Sequence, residues 1–169
     1  MRDVAVPTPV LGLFETHINV RDLDRSVAFY RDVVGLELAW RAEERRVVFL
    51  WTSPDRTSML GVWETGTSPI YPRLHFALRV SLPDLLDAPA RLREHGVTPL
   101  DFHLEEADEP SAIGWVPNVA IFFADPDGHS VEYLALLDEP ADPDIGVVPY
   151  STWRATRDTA RSQHEGAKR

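Results

Sequence analysis

Residues 14–35, FETHINVRDLDRSVAFYRDVVG, carry two periodicities in succession. Phe14, Thr16, Ile18 and Val20 alternate with Glu15, His17 and Asn19, the two-residue repeat of a strand with one packed and one polar face. From Leu23 the repeat lengthens. Leu23, Val27, Tyr30 and Val34 recur at spacings of four, three and four, which is the stripe of a short amphipathic helix. Asp22 or Asp24 supplies its cap and Gly35 its end. Residues 37–41, 46–52 and 58–64 then read as strands separated by charged or turn-rich connections such as SPDRT. The first half is therefore ordered β, α, β, β, β.

The second half repeats that order. In residues 73–80, RLHFALRV, Leu74, Phe76, Leu78 and Val80 alternate with His75, Ala77 and Arg79. A helical segment, PDLLDAPARLREHG, follows and ends at Gly96; Pro89 is expected to start or kink it, because an interior proline removes a hydrogen bond and crowds the preceding turn. Strands are expected near 97–102, at 118–124 and at 130–137. The fold class is thus α+β, with two tandem βαβββ modules at about 12–67 and 72–137 within one domain of residues 12–137. Residues 1–11 form an N-terminal arm. Residues 138–169 form an extension, Pro- and Asp-rich at first, in which Val147, Val148, Tyr150 and Trp153 cover a neighbouring surface and the last dozen residues lack order.

Composition narrows the function. With 44% hydrophobic residues the 169-residue chain has enough apolar material for a core, and no apolar run approaches the ~20 residues of a membrane span. The start of the chain has no secretory-signal pattern, so the expected location is the cytoplasm. A formal charge of −10 with no basic run disfavours nucleic acid and anionic membranes as partners and leaves a small molecule. The absence of cysteine removes disulfides, thiolate metal sites and cysteine nucleophiles. Any metal must use histidine and carboxylate.

Four such residues stand out: His17, Glu64, His75 and Glu132. The two histidines open the two modules at equivalent places and the two glutamates lie on closing strands, so a pseudo-twofold pairing of modules would bring all four together. Two imidazoles and two carboxylates suit nickel, zinc, manganese, cobalt or ferrous iron. Such an ion explains residues 124–134, ADPDGHSVEYL, where Glu132 sits between Val131 and Tyr133. A lone acid among apolar residues is expensive to bury without a partner. The DPDG turn would set the register of its strand. His129, after the turn glycine, is best read as a loop residue, and His95 and His103 as surface residues.

The phrases HINVRDLDRSVAFYRDVVGLEL, GVWE, LHFALRV and DPDGHSVEYL together resemble the vicinal oxygen chelate superfamily, which includes glyoxalase I, extradiol dioxygenases and bleomycin-binding proteins. The resemblance implies curved mixed sheets around a metal cup, with ligands at His17, His75 and Glu132. Glu64 matches the additional glutamate of glyoxalase I-like members, and Arg21 the arginine that such members use for a glutathione carboxylate. It implies a lyase or isomerase with one divalent ion, an enediolate route, Glu132 or Glu64 as the catalytic base and acid, and a homodimer. Trp51, Trp63 and Trp115 are the candidates for lining the substrate pocket. A ferrous-iron extradiol dioxygenase using only His17, His75 and Glu132 is the alternative within the family. A drug-binding resistance protein, whose acidic groove captures a cation, is the alternative outside catalysis.

Overall fold

The structure, a computed structural model, describes residues 13–65 and 72–166. The expected N-terminal arm lies outside the described residues. The chain divides at Pro69/Ile70 into two compact units.

The first unit contains β1 (Glu15–Val20), α1 (Leu23–Asp32), β2 (Glu37–Ala42), β3 (Val47–Trp51) and β4 (Met59–Glu64). Asp22 caps α1 by accepting from the Arg25 amide at 3.0 Å, and Gly35 turns the chain out of the helix with φ +83°. The sheet order is β1-β4-β3-β2, with β1 and β4 parallel and the other pairs antiparallel. Ile18, Val20, Val48, Leu50, Leu60 and Val62 are buried with Leu23, Val27 and Tyr30 of α1, which packs on β3 and β4. Each fully buried apolar side chain of this kind contributes about 1.5–3 kcal/mol. The opposite face carries a row in register across all four strands: His17, Gly61, Phe49 and Trp40.

The second unit repeats the order with β5 (His75–Arg79), α2 (Leu82–Glu94), β6 (Ser111–Ile113), β7 (Asn118–Ala124) and β8 (Ser130–Leu136), in sheet order β5-β8-β7-β6. Two details differ from the sequence expectation. Pro89 does not start α2, the first of its two expected roles, but lies inside it; Ser81 is the cap, accepting from the Asp84 amide, and Pro83 occupies the first turn, where no hydrogen bond is lost. The Pro89 ring is buried with Leu85, Ala88 and Leu92, an apolar gain that offsets the missing bond. The strand expected at 97–102 is reduced to Leu100, whose amide and carbonyl both pair with Phe122 at 2.7 and 2.9 Å. Pro99 has no amide to extend that pairing. The strand beside β7 is β6 instead, and Leu100 holds the next position along the same edge.

The extension is more ordered than its composition suggests. β9 (Val147–Pro149) adds antiparallel to β6 as a fifth strand, and α3 (Tyr150–Gly166) runs through residues expected to lack order. Trp153 is fully buried, donates its indole N–H to Glu139 at 2.8 Å, and lies under the Arg157 guanidinium at 4.1 Å. Gly114 fastens the extension to β6: its amide donates to the Gly146 carbonyl at 2.8 Å and its own carbonyl accepts from Asp142 at 2.9 Å. A Cβ on Gly114 would stand 2.2 Å from the Asp142 carbonyl oxygen, a backbone atom with little freedom to move. Gly114→Ala is therefore expected to destabilise the second unit by on the order of 3 kcal/mol, checked by urea unfolding; an unchanged midpoint would contradict this.

Candidate functional site

The turn in ADPDGHSVEYL is built by Asp125, whose Oδ1 accepts from the amides of Asp127 at 2.9 Å and His129 at 2.8 Å, while Gly128 takes φ +86°. His129 is fully buried. Its Nδ1 accepts from the Leu74 amide at 3.0 Å, so it joins the turn to the start of β5 as a structural residue. These bonds fix β8 in register, with Glu132 opposite Ala77 on β5 and Phe122 on β7.

Glu132 is thereby brought to His75. Its Oε2 lies 3.2 Å from His75 Nε2, with its side chain 8% exposed against 52% for the histidine. Burial pushes the Glu132 carboxyl above the usual carboxylate range, and the neighbouring imidazole pulls against that. The other ring nitrogen of His75, Nδ1, is 3.2 Å from the Ser130 hydroxyl. A hydroxyl can accept, so Nδ1 can hold the ring proton and leave the Nε2 lone pair facing the space beside Glu132. Phe122 packs beside His75 at 6.1 Å between ring centroids, Phe102 against Phe122 at 6.2 Å, and Trp115 against Phe102 at 5.8 Å. Trp115, expected to line a pocket, ends this aromatic series and is half exposed.

The first unit is organised differently. Glu64 has both carboxylate oxygens engaged: Oε1 accepts from Arg46 Nε at 3.1 Å, and Oε2 from Arg46 Nη2 at 2.7 Å and from the Leu23 amide at 2.8 Å. It ties the end of β4 to the first turn of α1, where an anion is favourably placed. Arg46 holds the Glu64 carboxyl below its usual range, ahead of the Leu23 amide. Because the folded-state pKa is lowered, the stabilisation is present above the ordinary carboxylate range and lost as pH falls through the lowered value. The stability gap between wild type and Glu64→Gln is accordingly expected to be open at about pH 7 and to close towards about pH 3 in urea midpoints; a gap independent of pH would contradict it.

His17 does not occupy the place that corresponds to His75. In the first unit the Met59 amide donates to the Phe14 carbonyl at 2.8 Å, and in the second the Ser130 amide donates to Leu74 at 2.8 Å. Matching these bonds aligns His75 with Glu15 and Glu132 with Gly61, while His17 corresponds to Ala77. The sequence pairing of the two histidines is thus out of step by two residues along the same strand face. Glu15 is the residue that sequence reading passed over, because only the β1–β4 register exposes it. His17 has its own partners: Trp63 Nε1 donates to its Nδ1 at 2.8 Å, and its Nε2 faces Glu15 Oε1 at 3.5 Å. Trp51 is half-buried opposite Met59, and Arg21 is exposed at the β1–α1 junction. Among the described residues no group of three or more histidine and acidic side chains is assembled to hold a metal ion. Nor is any helix among them long and apolar enough to cross a membrane.

A separate cleft of about 330 Å³ lies in the second unit between the loop before β6 and β9, lined by Asp101, Asp108, Glu109 and Ser111 among others. Its acids are already engaged. Asp101 accepts from the amides of His103 and Glu105, Asp108 pairs with Arg93 at 2.9 Å, and Glu109 binds the amide and hydroxyl of Ser151. In this cleft the carboxylates serve contacts within the second unit itself.

The family model of the Glyoxalase/Bleomycin resistance protein/Dioxygenase superfamily matches residues 12–133, and the chain belongs to that superfamily. Among solved structures, an integron cassette protein from the mobile metagenome of Halifax Harbour sewage outfall is 29% identical, with TM-score 0.63 over 75% of this chain and 100% of its own. The oxidase ChaP-H2 is 21% identical, with TM-score 0.61 over 79% and 100%. A lactoylglutathione lyase from Agrobacterium tumefaciens is 22% identical, with TM-score 0.57 over 76% and 96%. The last two are likenesses of fold. No curated protein sequence matches the chain. The superfamily contains enzymes that act on small molecules, among them lyases and oxidases.

Proposed function

We propose that the protein is a divalent-metal-dependent lyase or isomerase of the glyoxalase kind, a cytoplasmic homodimer acting on a small substrate that chelates through two oxygens. The observation that carries this reading is the His75–Glu132 pair, with Nε2 and Oε2 3.2 Å apart and Nδ1 set against Ser130. Two donors each about 2.1 Å from a shared ion stand about 3.0–3.4 Å apart at octahedral to tetrahedral angles. The pair has that spacing, and nickel, zinc, manganese, cobalt and ferrous iron all accept one imidazole and one carboxylate. Bound there, the ion supplies Lewis-acid polarisation of a substrate carbonyl. Glu132 takes the proton from one carbon and returns it to the next, and the ring series Phe122, Phe102 and Trp115 gives the substrate an apolar seat. His17 and Glu64, the rest of the expected ligand set, join only by giving up the partners they now hold. Arg21, Trp51 and Trp63 remain candidate substrate contacts in this reading.

A second reading, a ferrous-iron oxygenase, is favoured by one observation: Glu64 is held by Arg46, as expected of a glutamate that stays off the metal. Assays of protein loaded with nickel, zinc or ferrous iron, against hemithioacetals of 2-oxoaldehydes and against catechols with oxygen uptake recorded, separate the two. Turnover of hemithioacetals abolished in Glu132→Gln supports the lyase; oxygen uptake with iron alone supports the oxygenase; inactivity in both after confirmed metal loading counts against either.

A further inference from the structure

The two histidines singled out by the sequence differ in the partner of Nδ1, and that partner bears on which of them can bind a metal. A neutral imidazole has one nitrogen that donates and one that accepts, and the partner of either nitrogen determines the role of the other. His75 Nδ1 faces a serine hydroxyl, which can accept. His17 Nδ1 faces the Trp63 indole N–H at 2.8 Å, which can only donate.

We propose that Trp63 holds His17 as its Nε2–H tautomer, making it a fixed hydrogen-bond donor for an acceptor oxygen and not a metal ligand. Three contacts immobilise the ring for this purpose. Gly61 lies directly beneath it: a Cβ there would be 3.0–3.1 Å from Cδ2, Cγ and Nε2, so the ring rests on bare backbone. Phe49 meets it edge-on at 5.7 Å, and the Trp63 ring lies nearly parallel to it, with 5.9 Å between centroids and 25° between the planes. The lone pair of Nδ1 is used by Trp63, so Nε2 carries the proton, and coordination through Nε2 would require losing that proton or breaking the Trp63 bond. Glu15 Oε1 at 3.5 Å stands on the proton's side as a loose acceptor, and the His17 side chain is 39% exposed. The N–H is therefore open to a carbonyl or enolate oxygen of a ligand lying on the face formed by His17, Phe49 and Trp63. The ligand's identity rests on the reading above, whereas the tautomer does not.

Long-range proton–nitrogen correlation NMR of the full chain, with His17 assigned through His17→Gln, reads the tautomer directly. In metal-free wild type, His17 is expected to show a protonated Nε2 and a bare Nδ1, unchanged by one equivalent of zinc. Trp63→Phe, which keeps a ring but removes the donor, is expected to draw the two nitrogen shifts together as both tautomers become populated. Zinc content is expected to be the same in His17→Gln as in wild type. A proton on Nδ1 in wild type, a zinc-induced change at His17 Nε2, or loss of zinc in His17→Gln would each overturn the proposal. The metal-free wild-type spectrum decides the tautomer even if Trp63→Phe misfolds. If zinc also fails to perturb His75, the metal reading fails while the tautomer result stands.

Discussion

Trp153→Ala is expected to destabilise the second unit by about 3–5 kcal/mol, the range for removing a large buried aromatic. The indole is fully buried on α3, which packs on β6 and β9, and its loss would leave a cavity and free Glu139 of a hydrogen bond. Trp153→Phe keeps most of the volume and loses only the N–H, so its cost should be about 1 kcal/mol, since Arg157 remains within 3.6 Å of Glu139. Urea unfolding gives both values. Hydrogen exchange adds where the loss occurs: amides of β6 and β9 should exchange faster in Trp153→Ala than those of β5 and β8. If Trp153→Ala unfolds at the wild-type midpoint, the extension is an appendage and not part of the fold.

His75→Ala is expected to weaken divalent-metal binding by more than about 100-fold, beyond what losing an outer hydrogen-bond partner usually costs. Ser130→Ala should weaken it by about 10-fold, because the hydroxyl able to accept the Nδ1 proton is gone while the ligand itself remains. Glu132→Gln should behave like His75→Ala, since a carboxamide is a poor substitute for an anionic donor. Competition with a chromophoric chelator measures all three. Equal effects from Ser130→Ala and His75→Ala would indicate a change of structure rather than of ligand.

Much of the fold was legible because it rests on local rules. The alternation in residues 14–20 and 73–80 and the Leu23, Val27, Tyr30 stripe each report one buried face, and Asp22 and Gly35 mark helix ends that the structure keeps. What was not legible depends on partners far along the chain. α3 begins where Glu109 accepts from the Ser151 amide, 42 residues away, so no capping signal is visible in the sequence next to the helix. β9 is a strand only because β6 offers an edge. The shift between His17 and Glu15 has the same origin: both lie on one strand face, and only the pairing with β4 shows which corresponds to His75. Glu132 was legible as an acid needing a partner, and the structure supplies His75 within the same sheet. Glu64 was equally conspicuous, but its partner proved to be Arg46, whose φ of +50° brings its side chain to β4 in a way no residue pattern announces.

Metal stoichiometry shows whether His75 and Glu132 form the metal-holding pair while Glu64 serves the fold. Wild type, His75→Ala and Glu64→Gln would be loaded in parallel with nickel, zinc, manganese, cobalt and ferrous iron, and metal per chain measured by elemental mass spectrometry. One ion per chain in wild type and in Glu64→Gln, with loss in His75→Ala, is the predicted result. Loss in Glu64→Gln with retention in His75→Ala would contradict it.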